Sequence, residues 1–190
     1  MVSAVDFNAL RIELSIKAKN GIDFIISAAI IWAGIGIIWM QNFTDYSKSV
    51  LTFIVGALLL PLAALISRII KTDWKMKNNP LEPLGLWLNF AQLFYFPILV
   101  LVLLKWPDFF LVTYMIITGA HFFPYAWYYK TNFFAIMAGI ISVGAFMLRI
   151  YISTDENYLL AFSMSICLLV LAFLLYSDYR KKLQHYQEIR

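Results

Sequence analysis

The sequence predicts an all-α, polytopic membrane protein: a six-transmembrane-helix bundle with a short N-terminal interfacial helix. Three observations predict this fold class. The chain is 62% hydrophobic and only 14% charged, whereas a soluble globular domain is about 45–50% apolar and about 25% charged. Its apolar residues fall into six long runs separated by short polar connections. Its basic residues gather in alternate connections, as they do in multi-pass membrane proteins.

The N-terminal segment, residues 1–21, is polar and mixed in charge, and we expect it to be a cytoplasmic amphipathic segment. Residues 10–17 alternate between apolar and polar types, which is the period of a strand. Phe7, Leu10 and Leu14 nevertheless share one helical face, and Glu13 and Lys17 form a favourable i,i+4 pair. A lone strand at a membrane surface would leave backbone groups unpaired. We therefore predict a short interfacial helix.

Each of the six apolar runs is close to the ~20 residues that a helix needs to cross a ~30 Å hydrocarbon core. The runs are Ile22–Gln41, Val50–Ile70, Leu84–Leu104, Asp108–Tyr128, Asn132–Tyr151 and Tyr158–Tyr176. Residues 22–176 are thus predicted to form one domain, the bundle itself. Because lipid tails are as apolar as leucine, packing and interhelical hydrogen bonds must hold it together.

The distribution of basic residues predicts the orientation of the bundle. With a cytoplasmic N-terminus, twelve of the fifteen Lys and Arg residues fall in inner segments and three (Lys48, Lys105 and Arg149) in outer ones. Six spans then place both termini in the cytoplasm, with residues 177–190 as a basic cytoplasmic tail. The predicted location is the cell (plasma) membrane.

The longest connection, residues 71–83, is basic and contains Trp74 and two prolines. A basic, tryptophan-bearing inner loop fits contact with anionic lipid headgroups. The expected partners are therefore the lipid bilayer and anionic headgroups of the inner leaflet, with a small polar solute as a further candidate. Nothing in the sequence points to nucleic acid, and the oligomeric state is left open.

Polar residues inside a membrane are costly to bury, so they are the best pointer to function in such a chain. Counting ~1.5 Å per residue from the inner edge places Asn89 about 7 Å, Gln92 about 12 Å and His121 about 10 Å deep. Tyr125 lies one turn below His121, and Asp23 and Arg68 stand at inner helix ends. The predicted ligand-binding cluster is therefore Asn89, Gln92, His121, Tyr125, Arg68 and Asp23.

Prolines accompany this cluster. Pro61, Pro97 and Pro124 interrupt the second, third and fourth runs, and each removes a backbone donor and frees a carbonyl one turn earlier. In membranes such freed groups persist where they face protein or a water-filled cavity.

Three functions are compatible with the cluster. The first is a transporter or permease with a polar site open to the cytoplasm between the third and fourth spans, where His121 could couple binding to protons. The second is a non-transporting accessory or sensor protein whose polar residues only join helices. In that protein, Asn89, Gln92 and Tyr114 are the expected hydrogen-bond partners of His121. The third, an intramembrane enzyme, has little support, because no catalytic residue set can be assembled. We assign no catalytic residues, metal site or cofactor.

Three segments carry a family resemblance: Leu14–Asp23 (LSIKAKNGID), Asn89–Pro97 (NFAQLFYFP) and Gly119–Lys130 (GAHFFPYAWYYK). They resemble those of a small, uncharacterised bacterial family of integral membrane proteins. The resemblance covers most of the chain and implies no activity, substrate or cofactor. The same segments contain residues that the estimated membrane depths place in the predicted ligand-binding cluster.

Overall fold

The computed structural model describes residues 4–188, with side chains for residues 7–188. Six helical segments in this range are long and apolar enough to cross a membrane. They are Lys19–Trp39, Asp45–Ile70, Glu82–Lys105, Pro107–Tyr128, Phe133–Tyr151 and Thr154–Glu188. This confirms the predicted fold class. Residues 1–3 and 189–190, the outermost parts of the predicted terminal segments, lie outside the described range.

The N-terminal segment is helical rather than extended. Helix α1 spans Ala4–Lys17 and buries Leu14 completely against the bundle. Three successive residues with positive φ, Lys19 at 47°, Asn20 at 57° and Gly21 at 70°, turn the chain from α1 into the first span. Gly21 suits this turn because it adopts positive φ without strain. A Cβ at Gly21 would also lie 3.1 Å from the Tyr129 hydroxyl.

Prolines break three of the six spans, as the sequence predicts. The second span consists of α3 (Asp45–Gly56) and α4 (Leu59–Ile70), the third of α5 (Glu82–Leu93) and α6 (Phe96–Lys105), and the fourth of α7 (Phe110–His121) and α8 (Phe123–Tyr128). Pro61, Pro97 and Pro124 each stand in the first turn of the helix that follows the break. A proline is tolerated there because its missing N–H would have no helical partner.

The first and sixth spans form the centre of the bundle. Helix α2 (Ile22–Trp39) packs along α10 (Tyr158–Glu188) over the most extensive helix pair in the structure, and α7 packs on α9 (Phe133–Tyr151). The Ser165 hydroxyl donates to the Ala29 carbonyl across the central pair, at 2.8 Å. Such cross-helix hydrogen bonds hold helices together where lipid supplies no hydrophobic drive.

The second and third spans lie at the periphery of the bundle. Helix α5 contains no buried residue, and Leu86 and Trp87 are exposed on its surface. An apolar surface of this kind is what a lipid-facing helix presents. The third span therefore touches its neighbours over a small area.

Helix α10 is longer than the sixth apolar run. It continues for 31 residues to Glu188, well past Tyr176. Residues 177–188 of the predicted tail are thus helical, and they extend beyond the apolar part of the bundle.

The bundle has two polar ends. We call the end that carries α1, the 71–81 and 129–132 connections and the last turns of α10 the proximal end. The opposite end, with the 40–44, 106–109 and 152–157 connections, is the distal end. The loops thus alternate between the ends as six spans require.

Candidate functional site

Asp23, one of the predicted site residues, is 1% exposed in the first turn of α2. Its Oδ2 accepts hydrogen bonds from the Thr72 hydroxyl at 2.7 Å and the Trp74 indole at 2.6 Å. Its Oδ1 accepts the amide of Phe24 at 3.0 Å, and the Phe24 ring stacks on Trp74. A carboxylate near a helix N-terminus is also favoured by the helix dipole. Asp23 therefore ties the 71–81 connection to the first span.

A second buried polar group lies beside it and centres on Asn20. The Asn20 amide nitrogen donates to the Leu175 carbonyl and to Asp178, both at 3.0 Å. The Ser15 hydroxyl donates to the Asn20 amide oxygen. Asn20 and Ser15 are fully buried. The turn after α1 is thus hydrogen-bonded to the far end of the chain.

Lys182 closes this group from α10. Its ammonium lies 2.6 Å from Asp178 and donates to the Ser15 hydroxyl at 3.0 Å and the Tyr129 carbonyl at 2.8 Å. Charges taken out of water need pairing and further hydrogen bonds. Here one ammonium meets α1, α10 and the connection after α8, so the cluster joins three parts of the proximal end.

Further contacts fasten α1 across the proximal end. Arg11 donates to the Trp127 carbonyl, and its guanidinium lies 4.7 Å from the centre of the Trp127 ring. Asn79, from the 71–81 connection, donates to the Leu10 carbonyl at 3.0 Å and to Glu13 at 2.9 Å. Helix α1 therefore lies across the bundle end, held by polar contacts on two sides.

Two cavities open at the proximal end, one on each side of α1. The larger, of about 520 Å³, is lined by Arg11, Ala126, Lys130, Thr131, Asn132, Phe133 and Asp178. The smaller, of about 290 Å³, is lined by Glu13, Lys17, Asp73, Lys75, Met76, Lys77, Asn78 and Asn79. Neither cavity is lined by Asn89, Gln92 or His121.

The two amides of the third span lie at the edge of the bundle. Asn89 is exposed, and its amide donates to the Gly85 carbonyl of its own helix at 3.0 Å. Gln92 is half-buried and approaches the Thr118 hydroxyl of α7 at 3.5 Å, a long hydrogen bond. Gln92 thus faces the fourth span, as predicted, and spare hydrogen-bonding capacity remains on both amides.

His121 is half-buried at the end of α7, beside the break before α8. Its ring meets the edge of Tyr125 at 5.3 Å between ring centres. Among the described residues, it hydrogen-bonds none of its expected partners, Asn89, Gln92 and Tyr114. Tyr114 instead stacks on Trp32 at 5.2 Å.

Tyr125 is 8% exposed, and its buried hydroxyl has no hydrogen-bond partner within residues 7–188. It lies among the aromatic rings of Tyr128, Tyr129 and Phe134. Arg68 is exposed near the end of α4. The six predicted residues therefore do not form one cluster. Asp23 belongs to the proximal network, and Arg68 and Asn89 are exposed. Gln92 contacts the fourth span, and His121 and Tyr125 contact each other.

Sequence reasoning missed most of the proximal network, namely Ser15, Asn20, Asn79, Asp178 and Lys182. Two local signals were available. Asn20-Gly21 is a dipeptide that marks a turn with positive φ. Asp178 and Lys182 are an i,i+4 pair in a segment that could continue the last helix. Neither signal predicts which distant residues these side chains hydrogen-bond.

Comparison with known proteins adds a family. A family model matches residues 7–178. The chain belongs to DUF7010, a family of unknown function. This confirms the expected resemblance to an uncharacterised family. No curated protein and no solved structure matches the chain.

The DUF7010 match runs from α1 into α10 and so includes both ends of the bundle. Ser15, Asn20 and Asp178 lie within the matched range, and Lys182 lies beyond it. Because the DUF7010 family carries no assigned activity, any role for these residues rests on their chemistry and geometry.

Proposed function

We propose that this membrane protein is a small transporter that takes up a polar solute between its third and fourth spans. The observation that carries the proposal has two parts. The third span contacts its neighbours over a small area, and polar groups in the third and fourth spans have unused hydrogen-bonding capacity. Gln92 contacts Thr118 across the seam between these two spans, Asn89 precedes Gln92 by one helical turn, and His121 follows Thr118 by one turn. The His121 ring contacts Tyr125, whose hydroxyl has no partner among the described residues. Polar groups at membrane depth are retained where they serve each other or a ligand.

The broken helices support the same function. The second, third and fourth spans each have a proline break, and two of them border the seam. Transporter sites are commonly built at broken helices, whose freed backbone groups line a cavity. A span that buries little of its surface can also move against the rest of the bundle at low cost. His121 would bind the solute and exchange a proton with it.

We also propose that the proximal end lies in the cytoplasm and that the membrane is the plasma membrane. The basic side chains support this orientation: Lys48, Lys105 and Arg149 belong to the distal end and the other described ones to the proximal end. Such an imbalance is the pattern of the positive-inside rule. The solute site would then open toward the cytoplasm.

A membrane-impermeant maleimide tests the orientation. In a Cys167→Ala background, Gln187→Cys should react only after the cells are opened. Asp155→Cys, exposed at the distal end, should react in intact cells. The reverse labelling pattern would overturn the orientation.

Water access tests the solute site itself. Gln92→Cys and Asn89→Cys, in the same background and in intact membranes, should react with a water-soluble maleimide, because a site for a polar solute must be hydrated. Phe90→Cys, exposed on the same helix, is the control and should stay unreactive in lipid. Equal protection of all three positions would refute a water-connected seam.

The rival function is that of an accessory protein that transports nothing. The Gln92–Thr118 hydrogen bond between α5 and α7 favours it, because one such contact is ordinary helix-joining chemistry worth about 0.6 kcal/mol. The two functions differ for His121→Leu. A transporter should lose solute binding in a thermal-stability screen while keeping its fold, whereas an accessory protein should show only a change in stability.

A further inference from the structure

The larger proximal cavity combines positive charge with free hydrogen-bond donors. Arg11 and Lys130 line it. The Lys130 ammonium makes no hydrogen bond or ion pair within the described part of the chain, and Arg11 uses only part of its guanidinium, on Trp127 and Asn8.

Among the described residues that line this cavity, Asp178 is the one with a carboxylate. It is already engaged by the Lys182 ammonium at 2.6 Å and by the Asn20 amide at 3.0 Å. Its charge is therefore neutralised within the protein, and the positive charges of Arg11 and Lys130 remain for a ligand.

The wall opposite α1 is the N-terminus of α9, a helix of 19 residues. Asn132, its N-cap residue, makes no side-chain cap hydrogen bond, and the first helical bond in this turn is from Ile136 to the Asn132 carbonyl. The amides that precede Ile136 are thus free of helical partners. Such amides and the helix dipole favour an anion.

Thr131 supplies an independent indication of a ligand. It lines the cavity and is 5% exposed, and its hydroxyl has no hydrogen-bond partner within residues 7–188. A buried hydroxyl without a partner is rare, because it forfeits a hydrogen bond that water would have given it. A bound oxyanion would satisfy this hydroxyl.

We propose that this cavity, formed by Arg11, Lys130, Thr131, Asn132 and the N-terminus of α9, binds a phosphate-bearing anion. Two cationic side chains, a hydroxyl and free amides are donors suited to phosphate oxygens. The volume of about 520 Å³ accommodates a lipid headgroup or a small soluble phosphate. This site is separate from the seam between the third and fourth spans and does not depend on transport.

The test titrates the purified full chain in a neutral detergent and follows its unfolding midpoint. The probes are dihexanoyl phosphatidylglycerol, dihexanoyl phosphatidylcholine and inorganic phosphate, with sodium chloride at matched ionic strength. A ligand that binds the folded form raises the midpoint with its concentration. Saturable stabilisation by phosphatidylglycerol but not by inorganic phosphate identifies a lipid headgroup, and stabilisation by inorganic phosphate identifies a soluble phosphate. No rise beyond that with sodium chloride would overturn the site.

Two variants separate the cavity from general surface charge. Lys130→Asn removes the charge and keeps a residue that accepts the positive φ of 51° at this position. It should weaken the apparent affinity about tenfold, the effect of one charge-assisted hydrogen bond. Lys77→Asn makes the same change in the smaller cavity and should leave the affinity within about twofold. Equal loss in both variants would refute a defined site.

Thr131→Val tests the unpartnered hydroxyl. The variant keeps the side-chain shape, and without ligand its unfolding midpoint should be unchanged or higher, since no protein hydrogen bond is lost. Its affinity for the stabilising probe should fall several-fold. An unchanged affinity would remove Thr131 from the site and with it the independent support for a ligand there.

Discussion

The two ends of the bundle are held by different kinds of polar contact. At the proximal end, hydrogen bonds join residues 155 to 167 positions apart, as between Asn20 and Leu175 or Ser15 and Lys182. At the distal end the partners are mostly close in sequence, as in Trp39 with Thr52, 13 positions apart. Among the described residues, the distal hydrogen bond between the most distant positions runs from Asn157 to the Asp108 carbonyl and spans 49 positions.

This difference shows what each end contributes. The distal hydrogen bonds join spans that are closer in sequence, within one loop or between the 106–109 and 152–157 connections. The proximal end requires the two termini and the middle connections to meet at one place, around a closed set of buried polar groups. A satisfied buried network favours one arrangement of the segments that form it. We infer that the proximal end fixes how α1 and α10 are placed.

One buried asparagine from each end, Asn20 and Asn157, gives the largest expected contrast. Asn20→Ala loses three hydrogen bonds and puts alanine at a positive φ, which we expect to cost about 3 kcal/mol in free energy of unfolding. Asn157→Ala loses one hydrogen bond at an ordinary φ of −54° and should cost about 1 kcal/mol. Unfolding in mixed detergent micelles measures both. Equal losses in the free energy of unfolding would show that the two ends contribute equally to stability.

The second contrast compares one ion pair from each end, Lys182 with Asp178 and Arg149 with Asp108. Lys182→Met leaves Asp178 with only the Asn20 amide, and we expect a loss of about 2–3 kcal/mol because a buried charge loses its counter-charge. Arg149→Met breaks a longer ion pair to Asp108, 3.9 Å apart, and should cost about 1 kcal/mol. The same unfolding assay applies. A larger loss for Arg149→Met would reverse the comparison.

Two tryptophans report a smaller contrast. The Trp74 indole donates to the Asp23 carboxylate and the Trp39 indole to the Thr52 hydroxyl, at 2.6 and 3.0 Å. Bonds to a charged acceptor are about twice as strong as neutral ones. Asp23→Asn should therefore cost about 1–2 kcal/mol and Thr52→Val about 0.5–1 kcal/mol. Each variant should shift the indole emission, and an unshifted Asp23→Asn spectrum would contradict the assigned hydrogen bond.

The smallest effect is at the rim of the proximal end. The hydrogen bond from Lys17 lowers the pKa of Glu13 below its ordinary value of 4.5. Because the folded pKa is the lower one, the stabilisation is complete above the unfolded pKa and is lost as the pH falls through the folded pKa. The pair is half-exposed, so the expected loss is only about 0.3 kcal/mol. Glu13→Gln should abolish this part of the acid dependence of unfolding, and an unchanged acid profile would contradict it.

The fold could be predicted from the sequence because its signals are local. Run length, helical amphipathicity in α1 and the prolines each act within a few residues. The proline breaks appear where predicted, and α1 is helical because an isolated strand has nowhere to pair its backbone. The length of α10 was underestimated, since the residues after Tyr176 are polar and their partners are at the other end of the chain.

The candidate site was predictable only in part. Asp23 is at its helix end but bonds Thr72 and Trp74 rather than the other predicted residues. The expected hydrogen bonds of His121 are absent from the described residues. Depth arithmetic gives the height of a side chain in the membrane, not the direction in which it points. Asn89 illustrates the gap: it lies at the predicted height but bonds its own helix. Which residues bind a ligand remains a prediction.

The link between Asn20 and α10 also has a consequence for biosynthesis. Asn20 and Ser15 are translated at least 155 residues before their partners Leu175, Asp178 and Lys182. While the first five spans are being inserted, α1 can contact Trp127 and Asn79 but lacks its buried polar partners on α10. The polar groups of Ser15 and Asn20 must therefore be hydrated at the membrane surface until α10 has been made. A chain that stops before Asp178 would leave Ser15 and Asn20 without these partners. Exposure of these polar groups would distinguish an unfinished molecule from a folded one.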